Sequence, residues 1–377
     1  MMSSRGVRSI WIMLVLMSLI VAGCASDGDS SNTTTTAPAT TTTTAGSSTE
    51  TTAPAETTTT MSEADALMAS AMERSWRIGI TGEGVFNRDG TITGFQFNKL
   101  PLALAIMDMN ANGWDVAPIF LNQSEAPVQA LIQGSLDIAN SSITPVITAV
   151  AAGAEITVFA KARGVEYVML TRSDINGPED FDGKKVGLHA AASTTTLLTK
   201  LYLKDATDIE PDFLIVPGSG NRIQAMLAGE LDATAAQFGD DTRAMEEAPD
   251  DFHVIFNFAK EMQGLIDSAF SYNNATFDDL TRVFAEELLA KVTEYNRLFY
   301  EDPNVAKEKS VEFEVAEAAG VERYLDSEIF PMDIGMDADS LAFTIDGLVN
   351  AELIEGPGPD GASFFDSTIW EAISGRF

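Results

Sequence analysis

Asp180-Phe181-Asp182-Gly183-Lys184-Lys185-Val186-Gly187-Leu188-His189-Ala190, followed by Ala191-Ala192-Ser193-Thr194-Thr195-Thr196-Leu197-Leu198, is the stretch on which the fold turns. Asp182-Gly183 is a turn signal, Lys185 to Ala190 reads as a short strand, and Ser193 to Thr195 can cap a helix running through Leu197, Leu198 and Leu201. A strand therefore enters a helix through a loop of small residues. In an open α/β sheet such a loop lies at the carboxyl end of the strand, where free helix N–H groups and hydroxyls can receive a polar ligand.

The same alternation runs upstream. Trp76 to Thr81 reads as a strand, Leu100 to Asn110 as a helix, Val116 to Leu121 as a strand, and Pro127 to Gln133 as a helix ended by Gly134. Leu136 to Ala139, Ile156 to Lys161 and Tyr167 to Thr171 read as further strands, with a helix from Pro145 to Ala152 ended by Gly153. Such an order predicts parallel βαβ units rather than a sandwich or a bundle. Within it lies a quasi-repeat: Val128-Gln129-Ala130-Leu131-Ile132-Gln133-Gly134-Ser135-Leu136-Asp137-Ile138-Ala139 recurs as Ile223-Gln224-Ala225-Met226-Leu227-Ala228-Gly229-Glu230-Leu231-Asp232-Ala233-Thr234. Each copy reads as a helix closed by a left-handed glycine and followed at once by a strand, which predicts two lobes built alike.

Asp180-Phe181-Asp182-Gly183-Lys184-Lys185-Val186-Gly187 resembles the acidic-hydrophobic-x-Gly-Lys-Lys-Val-Gly segment of solute-binding proteins of the nitrate, sulfonate, taurine and thiamine-precursor group, with Phe181 and Asp182 replacing the commoner Leu and Lys. The helix-Gly-x-x-Asp-Ala copy around Asp232 matches a second hallmark of that group, and Glu301-Asp302-Pro303 resembles its helix break. The resemblance implies an α/β, two-lobed periplasmic-binding-protein-like fold of type II, each lobe a mixed sheet flanked by helices, with the ligand cleft between the lobes. The expected limits are residues 62–172 plus 264–377 for the first lobe and 173–263 for the second, with crossings near Leu170 to Arg172 and Ser268 to Tyr272.

Ligand loops are then those that follow strands and enter helices. Gln123 and Ser124 follow one strand; Ser141, Ser142 and Thr144 follow another and stand before Pro145, a suitable first-turn residue. Ser193, Thr194 and Thr195 do the same on the opposite side, and Gln237 and Phe238 follow the strand after Asp232. In the group an aromatic residue often occupies the place of Phe238, which implies stacking on a planar solute. Plain helix capping is the other reading of each cluster, and cap and contact are compatible. No obligatory arginine clamp is visible. The glycine-rich loop from Gly82 to Gly94 lacks the endings of phosphate- and dinucleotide-binding loops and reads as a surface turn.

Outside these lobes the chain reads differently. Arg5 and Arg8, the apolar run from Ile10 to Val21, and Val21-Ala22-Gly23-Cys24 form an export signal over residues 1–23, too short to span a bilayer. The closing tetrapeptide resembles a bacterial lipoprotein box with Val21 in the usual Leu place, which implies a lipidated Cys24 and an outer-face membrane anchor. Residues 24–61 then collapse to Thr, Ser, Ala, Pro and Gly, a disordered tether without side chains to bury. Near the other end, a long helix capped by Thr276 aligns Leu280, Val283, Phe284, Leu288, Val292 and Tyr295 as a core face.

Composition bounds the function. Against 23 Lys and Arg stand 56 Asp and Glu, a formal net charge of -33, which speaks against nucleic acid and against adhesion to anionic lipid. The single cysteine excludes an intrachain disulfide and cysteine-based zinc sites, and the two histidines, His189 and His253, read as ordinary strand residues; no metal or cofactor is expected. The leading reading is a monomeric, extracytoplasmic, membrane-anchored receptor that closes two lobes on a small solute and, by the resemblance, delivers it to the permease and ATPase subunits of an ABC importer. Sulfonate, a nitrate-like anion and a pyrimidine-type precursor stay open as solutes. An enzyme of the related pyrimidine-forming branch is a second reading, weakened because that branch depends on a cysteine-rich motif; a structural surface protein is a third.

Overall fold

The computed structural model describes residues 61–315 and 318–377, so the export signal, Cys24 and the Thr-rich tether lie outside the described residues. Among the described residues no helix is long and apolar enough to cross a membrane. In chain order, α1 (Glu63–Glu73) leads into β1 (Ser75–Thr81), a small hairpin of β2 (Val85–Phe86) and β3 (Ile92–Thr93), α2 (Leu100–Ala111), β4 (Asp115–Leu121), α3 (Ala126–Ile132), β5 (Ile138–Ser142), α4 (Ile143–Ala151) and β6 (Ile156–Gly164). Next come β7 (Tyr167–Arg172), β8 (Lys185–Leu188), α5 (Thr194–Leu203), β9 (Asp212–Ile215), α6 (Ser219–Leu227), β10 (Ala233–Gln237), α7 (Asp240–Glu247), β11 (Phe252–Asn257), α8 (Phe258–Glu261) and β12 (Ile266–Asn273). The chain ends with α9 (Asp279–Glu301), α10 (Pro303–Glu312), α11 (Ala318–Asp326), α12 (Ala338–Asn350) and α13 (Thr368–Ser374).

These strands form two 5-stranded sheets of one design, ordered β4-β1-β5-β12-β6 and β9-β8-β10-β7-β11. In each, the first three strands and the fifth run the same way, and the fourth alone runs antiparallel to its two neighbours. The chain trades strands symmetrically: β6, last of the first sheet, feeds β7 in the second, and β11, last of the second, returns through α8 to β12 in the first. The first crossing therefore falls at residues 165–166, earlier than the expected boundary at 172/173, because residues 167–172 pair with β10 and β11. Alternation along Tyr167 to Thr171 is compatible with either sheet, and only non-local pairing decides between them.

The quasi-repeat has a physical cause. Asp137 N–H donates to the Arg77 carbonyl at 3.0 Å while its Oδ2 accepts from Arg77 N–H at 2.8 Å; Asp232 does both for Lys185, each at 2.8 Å. The aspartate thus clamps the start of the neighbouring strand. Two residues along that strand a glycine makes room for the leucine before the aspartate: a β-carbon at Gly79 would stand 2.3 Å from Leu136 Cδ1, and one at Gly187 2.6 Å from Leu231 Cδ1.

Packing around the sheets follows the apolar faces. Trp76 stacks on Phe284 with centroids 4.3 Å apart, fastening α9 to the first sheet. That helix begins at Asp279 rather than at the expected Thr276 cap, with Asp278 Oδ1 accepting from Thr281 N–H at 2.7 Å. A carboxylate both caps the turn and complements the helix dipole, which a threonine hydroxyl cannot do as well. The segment expected to be a plain turn from Gly82 to Gly94 contains the β2–β3 hairpin.

Candidate functional site

Between the sheets lies a cavity of about 320 Å3 walled by both. Much of its wall lies at the carboxyl ends of parallel strands: Thr81 at the end of β1 and Gly82 after it, Asn122 and Ser124 after β4, Ser142 at the end of β5, His189 after β8, Pro217 and Gly218 after β9, and Gln237 at the end of β10. This is where parallel strands leave helix N-termini and loops free for a ligand.

The second lobe supplies most of the polar wall. Ser193 caps α5, accepting from Thr196 N–H at 3.4 Å, and Thr195 Oγ1 accepts from His189 N–H at 3.0 Å. Thr194 Oγ1 is hydrogen-bonded to Ser142 Oγ of the first lobe at 2.7 Å, so two hydroxyls bridge the cleft. At α6 the cap is Gly218, with φ of 87°, a left-handed conformation that a side chain resists; a β-carbon there would also stand 2.9 Å from Asn221 Nδ2. Its N–H donates to His189 Nδ1 at 3.0 Å, which leaves the neutral ring protonated on Nε2. Burial, then the nearby Arg222 charge, pushes His189 down to about 4.

Arg222 is the least expected member. It is 1% exposed, yet its guanidinium bonds only neutral acceptors: Nε to Thr234 Oγ1 at 2.8 Å, Nη1 to the Val216 carbonyl at 3.3 Å and Nη2 to the Ala235 carbonyl at 3.2 Å. No carboxylate forms an ion pair with it among the described residues. Burial lowers its pKa to about 10, so it is charged at neutral pH. Tyr167 and Asp240 favour its charge from a distance but neither bonds it. A buried charge without a bonded counter-charge is costly, and a ligand anion relieves that cost.

The floor beneath is a paired network at the crossing. Arg163 Nε donates to Asp267 Oδ2 at 2.6 Å and lies 3.4 Å from Glu166 Oε1, which also accepts from Gln237 Nε2 at 2.8 Å and from Asn98 Nδ2. Burial opposes the Arg163 charge, but Asp267 and Glu166 outweigh it and hold the guanidinium protonated. Burial also raises Glu166 despite Arg163. Lys99 Nζ has no hydrogen-bond partner, and burial, with Arg163, brings it down to about 7 against the pull of Glu166 and Asp267.

Of the residues singled out from sequence, Ser124, Ser142, Ser193, Thr194, Thr195 and Gln237 line this cavity together. Gln123 is exposed beside it, its neighbour Asn122 taking the lining position. Ser141 and Thr144 are buried beyond the lining, with both hydroxyl oxygens unpartnered. The Phe238 ring is covered, with Arg323 Cζ 4.0 Å above its centroid and Tyr324 edge-on at 5.5 Å. Sequence reading missed Arg222, Lys99, Arg163 and Asp267. For Arg222 a signal existed: Pro217-Gly218-Ser219-Gly220-Asn221 is a small-residue turn between strand and helix, and Arg222 immediately precedes the second repeat copy.

The family model described as NMT1/THI5 like matches residues 110–309. No curated protein matches the chain. Among solved structures, the periplasmic aliphatic sulphonate binding protein SsuA from Escherichia coli superposes with a TM-score of 0.59 at 18% identity, covering 79% of this chain and 99% of that one. The alkanesulfonate-binding protein SsuA from Xanthomonas axonopodis pv. citri, bound to MOPS, gives 0.59 at 16% identity over 78% and 98%. A Candida albicans gene product described as exhibiting the generic periplasmic binding protein structural fold gives 0.59 at 13% identity over 80% and 95%. At these identities the likeness is one of fold: two α/β lobes with mixed sheets.

Proposed function

The chain belongs to the NMT1/THI5-like family, and from that premise we propose that it captures a small oxyanion, of the sulfonate or nitrate kind, between its two lobes and delivers it to an ABC importer. The observation that carries this reading is Arg222, a buried guanidinium on the cavity with neutral partners only. The N-termini of α5 and α6 add oriented N–H groups on the same wall. The anion is favoured over a pyrimidine because the one aromatic face expected to stack on a planar solute, Phe238, is covered by Arg323 and Tyr324. The sulfonates named for the Escherichia coli and Xanthomonas structures are ligands of those proteins and make alkylsulfonates the first probes to try.

The role is capture rather than catalysis. The imidazole on the cavity is held neutral with Nδ1 engaged by a backbone N–H, a positioning arrangement that leaves no free base at that nitrogen. Cys24, within Val21-Ala22-Gly23-Cys24, and the Thr-rich stretch after it support a lipid-anchored receptor on the outer face of the membrane, and the family likeness supports permease and ATPase subunits as its partners.

Thermal unfolding against alkylsulfonates, nitrate, bicarbonate and pyrimidines tests the reading. A true ligand at a hundredfold excess over its Kd stabilises the native state by roughly 2.7 kcal/mol. An anion should shift the transition of the native protein and move that of Arg222→Met only slightly. A shift produced only by pyrimidines, or one undiminished in Arg222→Met, sinks the oxyanion assignment.

A further inference from the structure

Two-lobe capture requires that contacts across the cleft break and re-form, and on that reading we infer that α11 is a closing latch, with Arg323 and Tyr324 of the first lobe gripping the Phe238–Asp241 turn of the second. Asp241 is 0% exposed, and Arg323 Nη1 donates to both of its oxygens, at 2.8 and 2.6 Å. The other Asp241 contact is local: Oδ1 accepts from Gly239 N–H at 3.1 Å, which folds the turn. Arg323 also covers the Phe238 ring, and Tyr324 Oη donates to the Phe238 carbonyl at 3.3 Å.

The helix that carries both residues is seated in the first lobe through Tyr324. The Tyr324 ring meets Phe97 edge-on at 4.9 Å and stacks on Phe330 at 6.3 Å. The gripped turn, in contrast, is the continuation of β10 directly after Gln237, and Gln237 and Asp240 both line the cavity. Arg323 is thus a positioning residue: it touches no lining atom, yet it holds the loop that presents two of them. Separation of the lobes strips the buried Asp241 carboxylate of its counter-charge, so the open state is reached only when that turn becomes solvated. The pair therefore weights the equilibrium toward closure, and a ligand needs correspondingly less differential affinity to complete it.

Lobe separation measured without any solute tests the latch. Cys24 is the only cysteine, so a Cys24→Ser background accepts spin labels at Ala152→Cys in the first lobe and Asp208→Cys in the second, both exposed positions. In that background Arg323→Gln and Asp241→Asn should each raise the long-distance population at least about threefold, and the double variant should add little, because both remove one interaction. Arg323→Lys should fall between parent and Arg323→Gln. Distance distributions identical to the parent in variants whose circular dichroism is native, or strictly additive effects, would overturn the latch. Should Arg323→Gln not fold, Asp241→Asn and Arg323→Lys carry the same comparison. Because no solute enters this measurement, its failure is separate from failure of the oxyanion reading, which rests on the thermal panel.

Discussion

In the first lobe the side chain leaning on the mid-strand glycine is Pro127, whose Cβ lies 3.4 Å from the place of a β-carbon at Gly79; in the second it is Arg222, whose Cδ lies 3.2 Å from the same place at Gly187. Each immediately precedes its copy of the repeat. Strand order, the aspartate clamp and the glycine–leucine contact are all shared, so the lobes differ here by one side chain on one scaffold. The scaffold explains why both halves fold; the exchanged side chain explains why only the second carries a buried guanidinium at this position.

The largest expected effect breaks that asymmetry directly. Arg222→Met removes a buried charge while filling similar volume, so folding should survive. Loss of a charge-assisted contact to the anion should weaken binding by about 3 kcal/mol, roughly a hundredfold, in titration calorimetry. Pro127→Ala, the equivalent change in the first lobe, should leave affinity unchanged. Equal losses in both variants would mean that the position matters for packing alone.

The paired glycines sharpen the comparison next. Gly79→Ala and Gly187→Ala each press a β-carbon into a buried leucine, and overpacking of this kind costs about 1–3 kcal/mol. Denaturant titration should find similar losses in the two. Only Gly187→Ala should also reduce anion affinity, since its new methyl crowds the Arg222 stem.

The clamps give a smaller, graded pair. Asp137 is buried and meets Arg74 at 3.1 Å and Arg77 at 3.4 Å as well as the strand N–H, whereas Asp232 is more exposed and sees Arg172 at 3.7 Å. Asp137→Ala should cost about 2–3 kcal/mol, the range for a buried charge-assisted bond, and Asp232→Ala about 1 kcal/mol. The reverse order in chemical denaturation would show that clamp strength does not follow burial.

How far sequence reading reached follows from the same features. The helix-Gly-strand copies are written locally, in glycine positions and apolar spacing, and β1, β4, α3 and β10 lie close to where those signals put them. The lobe crossing was misplaced because β7 satisfies the same alternation in either sheet, and pairing with β10 and β11 is non-local. The hydroxyl cluster at the start of α5, with Ser193 as the cap and Thr194 beside it, was legible because cap and ligand loop share a residue preference. Arg163 and Asp267 were not, because a charge within an apolar strand declares itself only when its partner, from a distant strand, is known. Phe238 illustrates the opposite limit: its place after β10 is as expected, but its ring face is occupied by α11, from the far end of the chain.

The smallest effect concerns Lys99 on the first lobe, a cation of the cavity whose Nζ has no hydrogen-bond partner among the described residues. Burial brings its pKa from the ordinary 10.5 to about 7, with Arg163 adding to the fall and Glu166 and Asp267 opposing it. The unfolded chain therefore holds more protons than the native one between about pH 7 and 10.5, and stability of the unliganded protein should rise with pH across that window. Anion binding should move the other way. A bound anion favours the charged ammonium, so affinity for methanesulfonate or nitrate should fall above about pH 7, by at most about tenfold per pH unit. Arg222 stays charged until about 10 and His189, at about 4, is already neutral, so neither contributes a slope between pH 7 and 9. Lys99→Met should flatten both profiles. If native affinity is instead level from pH 6 to 9 while Arg222→Met abolishes binding, the anion is held by the second lobe alone, and the first lobe serves only to close over it.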